Sequence, residues 1–235
     1  MFVNQVKHIA RLIGMFACIT KKKAKLTRKL ISAIAVFTTL FLASPVWAEN
    51  VKVVMYGDSL SAGYGMARQQ SWPHLLAERF KANNTPIDFI NESISGETTG
   101  GGLTRLSSVL ERHQLDGDDW LIIELGGNDG LRGFPVKTLK INLNGMIELS
   151  QKRGVNVALM PIKIPPNYGK RYTQMMEAVY TQLSEQYGLP LVSYFMEQVA
   201  TKPEFMMDDG IHPNESAQGF IRDLMLVEIK QLIAM

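Results

Sequence analysis

The stretch VKVVMYGDSLSAG, residues 51–63, decides how the rest of the chain is read. An apolar run, 51–56, stops abruptly at Gly57, Asp58 and Ser59. A short apolar run closed by small polar residues reads as a strand covered on both faces that ends in a tight turn. Four more runs have the same character: IDFIN (87–91), WLIIEL (120–125), VNVALM (155–160) and PLVSYF (190–195). Stretches of helical periodicity separate them, such as TGGGLTRLSSVLERH and VKTLKINLNGMIELSQKRG. After His212, the residues Phe220, Leu224 and Val227 recur at spacings of three to four. Strands alternating with helices predict an α/β protein of parallel βαβ units in three layers. Right-handed crossovers then put helices on both faces of the sheet.

In such sheets ligands bind beyond the carboxyl ends of the strands. The polar blocks fall there. Gly57-Asp58-Ser59 follows the first run, and Asn91 to Thr98 the second. Gly126-Gly127-Asn128-Asp129 follows the third, and Pro161 to Pro166 the fourth. The fold would gather all four along one edge.

Ser59 is the candidate nucleophile. A serine hydroxyl needs a base to remove its proton, and histidine is the usual one. Three histidines follow residue 48: His74, His113 and His212. His74 (in SWPHLLAERF) and His113 (in VLERHQ) sit in amphipathic helical contexts and read as surface or boundary residues. His212 lies in DDGIHPN, a loop punctuated by Gly and Pro, with Asp209 three residues upstream. In a turn, that spacing can fold the carboxylate back onto the imidazole. An acyl-transfer site also needs donors for a developing oxyanion. The Ser59 and Gly96 backbone N–H groups and the Asn128 side-chain amide can supply them. Asp58 reads as a local acceptor that holds the turn, and Gly57 as the residue permitting the tight exit from the strand.

GDSLSAGYG, ISGETT, GGNDGLRG and DDGIHPN together resemble the four blocks of the SGNH (GDSL) hydrolases. Within that family the chain is most similar to the bacterial periplasmic thioesterase, lysophospholipase and arylesterase group. The resemblance implies Ser59 as nucleophile, His212 as base and Asp209 as its orienting acid. It implies an oxyanion hole of Ser59 N–H, Gly96 N–H and Asn128. It also implies a flavodoxin-like three-layer α/β/α fold with a five-stranded parallel sheet, and neither metal nor organic cofactor. The loop carrying Ile162, Ile164, Pro165, Pro166 and Tyr168 is expected to contact an acyl chain, the alternative being that it packs on its own strand. Leu131, Arg132 and Phe134 are expected to form the opposite wall. The implied activity is ester and thioester hydrolysis on a small-molecule acyl ester or lipid.

Charge bears on partners. The 235 residues carry 25 Lys and Arg against 22 Asp and Glu. Eight of those cations, and no acid, lie in residues 1–48; removing them leaves 17 against 22 from residue 49 onward. A mildly acidic body argues against nucleic-acid binding. In the N-terminal segment, KKKAKLTRK precedes fourteen uncharged residues, LISAIAVFTTLFLA, and then SPVWA. This is the pattern of a secretory signal cleaved after Ala48. The apolar stretch falls short of the roughly 20 residues that span a bilayer, so no membrane anchor is expected after cleavage. A weakly apolar segment precedes it, and Met15 is an alternative start. Cys18, the single cysteine, falls in the same segment, so the mature chain is expected to lack thiol, disulfide and cysteine–metal chemistry. The expected organisation is an extension with its signal over 1–48 and one hydrolase domain over 49–235, periplasmic or secreted, and monomeric.

Two other enzymes fit the pattern less well. A carbohydrate O-acetyl esterase would use the same site. A metal-dependent phosphoesterase could draw on Asp58, Asn128, Asp129, Asp208, Asp209 and His212, but a dinuclear site usually needs several histidines. A dinucleotide-binding G-x-G-x-x-G is absent at the first turn.

Overall fold

Residues 50–234 are described by the structure, a computed structural model. The signal, its cleavage site and Cys18 lie outside the described residues. Four strands form the sheet: β1 (Val51–Gly57), β2 (Ile87–Asn91), β3 (Trp120–Glu124) and β4 (Asn156–Leu159). Their order is β2-β1-β3-β4 and every pairing is parallel. The chain therefore reverses its direction of travel across the sheet between β1 and β3. Such a switch point leaves a crevice at the strands' carboxyl ends.

The pleat sorts each strand's side chains to opposite faces. Val54, Tyr56, Leu121, Ile123, Val157 and Leu159 join one core cluster. Helices α3 (Thr99–Arg112), α5 (Val136–Gln151) and α6 (Lys170–Tyr187) cover it with Leu106, Leu110, Leu143, Met176 and Tyr180. Val53, Met55, Ile122 and Ala158 face the other way. There α2 (Trp72–Ala82) and α8 (Glu215–Ile233) supply Trp72, Leu76, Phe80, Ile221, Met225 and Ile229. The three layers expected from the alternation of elements are present. Short helices α1 (Ser59–Ala62), α4 (Gly127–Leu131) and α7 (Met196–Val199) lie between them.

The fifth run does not become a strand, so the sheet has four strands where five are expected. Residues 190–195 make a single parallel bridge, Leu191 to Leu159. Val192 N donates to Leu159 O and Leu159 N to Pro190 O. Pairing ends there because the next donor on the β4 side would be residue 161, a proline with no N–H, while Ser193 N points the other way and donates to the Glu228 carboxylate on α8. The chain then turns at Phe195 into α7. An apolar run records burial, and this one is buried without completing a ladder.

Gly57 serves a purpose other than the tight exit expected from sequence. A Cβ on Gly57 would stand 2.2 Å from Glu124 Oε2. The glycine makes room for a fully buried carboxyl at the end of β3. Glu124 Oε2 is hydrogen-bonded to Ser61 Oγ, while Oε1 has no partner among the described residues. Burial, reinforced by the nearby charge of Asp58, pushes the Glu124 carboxyl well above the usual range.

Replacing Gly57 with alanine should therefore destabilise the fold by about 1–3 kcal/mol through overpacking. In urea melts the penalty should shrink markedly in a Glu124→Ala background, and an undiminished penalty would refute the steric account. Glu124 also makes a pH prediction. A carboxyl whose pKa is raised by folding gives stability that is full below its unfolded value, near 4.5, and lost as pH rises through the folded one. Wild-type stability should fall as pH rises above about 5, and less steeply in Glu124→Gln.

Candidate active site

Ser59 opens α1 immediately after β1. The helix is capped by Asp58, whose Oδ1 accepts from Leu60 N at 3.2 Å. The turn-holding role read from sequence for Asp58 is thus its geometry. Its other oxygen does something that sequence reasoning missed. Asp58 Oδ2 accepts from Asn128 Nδ2 at 3.1 Å, tying the loop after β1 to the loop after β3. Burial pushes the Asp58 carboxyl up to about 6, against the pull of the Leu60 N–H, His212 and the Asn128 amide.

His212 reaches the same point from the far end of the chain. Its Nε2 lies 2.9 Å from Ser59 Oγ, across 153 residues of sequence. Its Nδ1 lies 2.6 Å from Asp209 Oδ2. The other oxygen, Asp209 Oδ1, accepts from Ile211 N at 2.9 Å and His212 N at 3.0 Å. Partial burial opposes ionisation of Asp209. The hydrogen bonds from the His212 backbone, the His212 ring and Ile211 N–H outweigh it and hold the carboxyl at about 2. Asp209 is therefore a carboxylate at any ordinary pH. It accepts from Nδ1–H, leaving the Nε2 lone pair facing Ser59 Oγ. A further contact on His212 was not foreseen. The Tyr64 ring is stacked on the imidazole, with centroids 4.2 Å apart.

Gly96 lies in the turn after β2, and its carbonyl accepts from Arg132 Nη2 at 3.0 Å. Asn128 lies in α4, whose next residue, Asp129, is buried. Asp129 accepts from Thr99 N at 2.8 Å and Thr99 Oγ1 at 2.5 Å, anchoring that loop to the start of α3. The other histidines are elsewhere. His113 Nε2 is 2.7 Å from Glu92 Oε1, and His74 is half-buried in α2. Among the described residues, no three His, Cys, Asp or Glu side chains are grouped to hold a metal ion.

A cleft of about 300 Å³ opens beside Ser59 and His212. Ile162, Ile164, Pro165 and Leu131 line it, together with Asn128. Ile162 and Ile164 also belong to the core cluster beneath α6, so the loop packs on the body and faces the cleft at once. Pro166, Tyr168 and Phe134 do not line it. Pro166 and Tyr168 form an exposed 3₁₀ turn that carries the chain out toward α6. The Phe134 carbonyl accepts from Tyr172 Oη at 2.6 Å, and its side chain is exposed. The rest of the wall includes Tyr194, Met196, Ala200, Met206 and Ile211, with the ion-paired Lys163 and Glu197 among them. Sequence reasoning missed it because the run at 190–195 read as a strand. A cluster of apolar residues just past a truncated strand was the available signal.

The chain's likenesses to known proteins agree with this geometry. Residues 55–219 match the model of the GDSL-like lipase/acylhydrolase family. An arylesterase of Vibrio mimicus is 46% identical over 189 residues, covering 80% of this chain and 93% of that protein. The thioesterase 1/protease 1/lysophospholipase L1 of Escherichia coli K12 is 41% identical over 181 residues, covering 77% and 84%. Among solved structures, the psychrotrophic esterase EstA of Pseudoalteromonas sp., inhibited by monoethylphosphonate, superposes with a TM-score of 0.75. It is 43% identical, covering 78% of this chain and 99% of that one. With a family match across most of its length and close relatives over nearly all of theirs, the chain belongs to the GDSL-like lipase/acylhydrolase family.

Proposed function

We propose that this chain is a serine hydrolase that cleaves acyl esters and thioesters through a covalent acyl-serine. The observation that carries the reading is the unbroken hydrogen-bonded row Asp209–His212–Ser59 at the mouth of a largely apolar cleft. Ser59 Oγ attacks the acyl carbonyl while His212 Nε2 takes its proton. Asp209 stabilises the imidazolium so formed. The tetrahedral oxyanion is received by the Ser59 and Gly96 N–H groups and by the Asn128 amide. The second Nδ2 hydrogen of Asn128 is engaged by Asp58, so the amide is pre-aimed. His212 then gives the proton to the leaving alkoxide or thiolate. Water, activated by the same imidazole, releases the acid and restores Ser59.

Substrate follows from the cleft and from location. The acyl chain lies along Leu131, Ile162, Ile164, Met196 and Met206. Residues 1–48 read as a secretory signal, which puts the mature enzyme outside the cytoplasm, where acyl-CoA is scarce. Lysophospholipids and aryl or fatty esters are the natural substrate class on this reading. The names of the relatives, arylesterase and thioesterase/lysophospholipase, support it.

Wild type should hydrolyse p-nitrophenyl butyrate and be labelled by a fluorophosphonate on the peptide carrying Ser59, with or without EDTA. Ser59→Ala should lose roughly 10³-fold or more in kcat, and Asn128→Ala roughly 10²–10³-fold. Turnover that persists in Ser59→Ala, or is abolished by the chelator, would sink the mechanism. Across p-nitrophenyl esters from acetyl to palmitoyl, kcat/KM should peak at medium or long chains. A strict preference for acetyl would overturn the substrate assignment and leave the mechanism standing.

A further inference from the structure

Three groups touch the His212 ring, and the mechanism accounts for two of them. Asp209 takes its Nδ1 edge and Ser59 its Nε2 edge. The third is Tyr64, whose ring lies against the imidazole face with centroids 4.2 Å apart and planes inclined by 28°. In-plane hydrogen bonds restrain where an imidazole points. They leave it free to rock about the line joining its two partners. A ring on its face removes that freedom.

The chain around Tyr64 is built to present it. Gly63 and Gly65 flank it with φ of +81° and +74°, a left-handed conformation that favours glycine. Gly63 N–H belongs to the cap of α1, where the C-cap bond runs back to Ser59 O. Tyr64 N also donates to Ser59 O, at 3.4 Å. The turn that holds Tyr64 is therefore fastened to the backbone of Ser59. On the other side, a Cβ at Gly65 would lie 3.2 Å from Met207 Cε, so this turn packs directly against the loop that carries His212. Tyr64 is 48% exposed, more than a ring of its size needs to be if it served only the core.

We propose that Tyr64 is a positioning residue for the reaction. Its ring face holds the imidazole plane square to Ser59 and favours the imidazolium that forms as the serine proton is taken. An electron-rich ring face attracts a cation, whereas neutral imidazole gains only stacking. The contact thus strengthens on the way to the transition state, and the effect belongs in kcat rather than KM. This inference rests on His212 acting as the base.

The test is steady-state kinetics on p-nitrophenyl butyrate with Tyr64→Ala, Tyr64→Leu and Tyr64→Phe, beside Ser59→Ala. Aromatic face contacts of this kind correspond to roughly two- to tenfold in rate. Tyr64→Ala and Tyr64→Leu should lose that factor in kcat with KM within about twofold of wild type, and fluorophosphonate labelling of Ser59 should slow in parallel. Tyr64→Phe, which keeps the face and loses only the hydroxyl, should recover most of the rate. Melting temperatures are measured alongside, and the leucine variant keeps bulk at the site should alanine disturb the fold. Wild-type kcat in Tyr64→Leu, or a phenylalanine variant as slow as alanine, would overturn the proposal. Full activity in Ser59→Ala would instead bring down the functional reading on which it rests.

Discussion

The Asp58 carboxyl is the joint of this site. One oxygen caps the helix that Ser59 opens; the other accepts from the Asn128 amide. A single buried side chain thus sets two groups of the proposed acyl site, and they come from strands on either side of the switch point. Its burial has a cost, visible in the upward push on its pKa. Its charge adds to the cost of a second carboxyl, Glu124, which lies fully buried nearby. Gly57 is what permits the crowding, since any side chain there would collide with Glu124. The glycine, aspartate and serine of the first block therefore have three separate duties: space, alignment and the hydroxyl itself.

That Ser59, His212, Asp209 and Asn128 would meet at one edge was legible because each sits at a change of pattern. Ser59 and Asn128 follow apolar runs directly, and a parallel sheet forces such positions onto one edge. His212 stood out as the histidine in a loop rather than on a helix. What local pattern could not supply was the far side of contacts. Nothing near residue 58 announces that its carboxyl will meet residue 128. Nothing near Tyr64 says that it will face residue 212. Both pairings are products of the assembled edge.

The cleft was half legible for the same reason. Ile162 and Ile164 alternate along an extended segment leaving β4, so one apolar stripe serves both the core and the cleft. Pro166 and Tyr168 look equivalent in sequence, but Pro166 begins a 3₁₀ turn and the chain leaves the site. The wall formed by Tyr194, Met196 and Met206 depends on the last apolar run failing to finish a strand. That failure is decided by Pro161, which has no N–H to offer the Val192 carbonyl. A donor missing from the partner strand is invisible to the periodicity of the run itself.

It remains to explain how a largely exposed loop holds His212 to hydrogen-bonding precision, since loops are ordinarily the mobile part of a fold. This one is closed on itself. Met207 N donates to His212 O at 2.8 Å, and Met206 and Pro213 form an antiparallel bridge. Asn214 then caps α8 through Ala217 N while its own amide donates to the carbonyls of Glu204 and Met206. One turn further, the Gln218 side-chain oxygen Oε1 accepts from Trp72 N, and Trp72 is buried in the core. The imidazole is thus fixed through a chain of backbone and side-chain hydrogen bonds that ends in the packed interior. Rigidity of that kind limits reorganisation when charge develops, which is how preorganised sites lower a barrier.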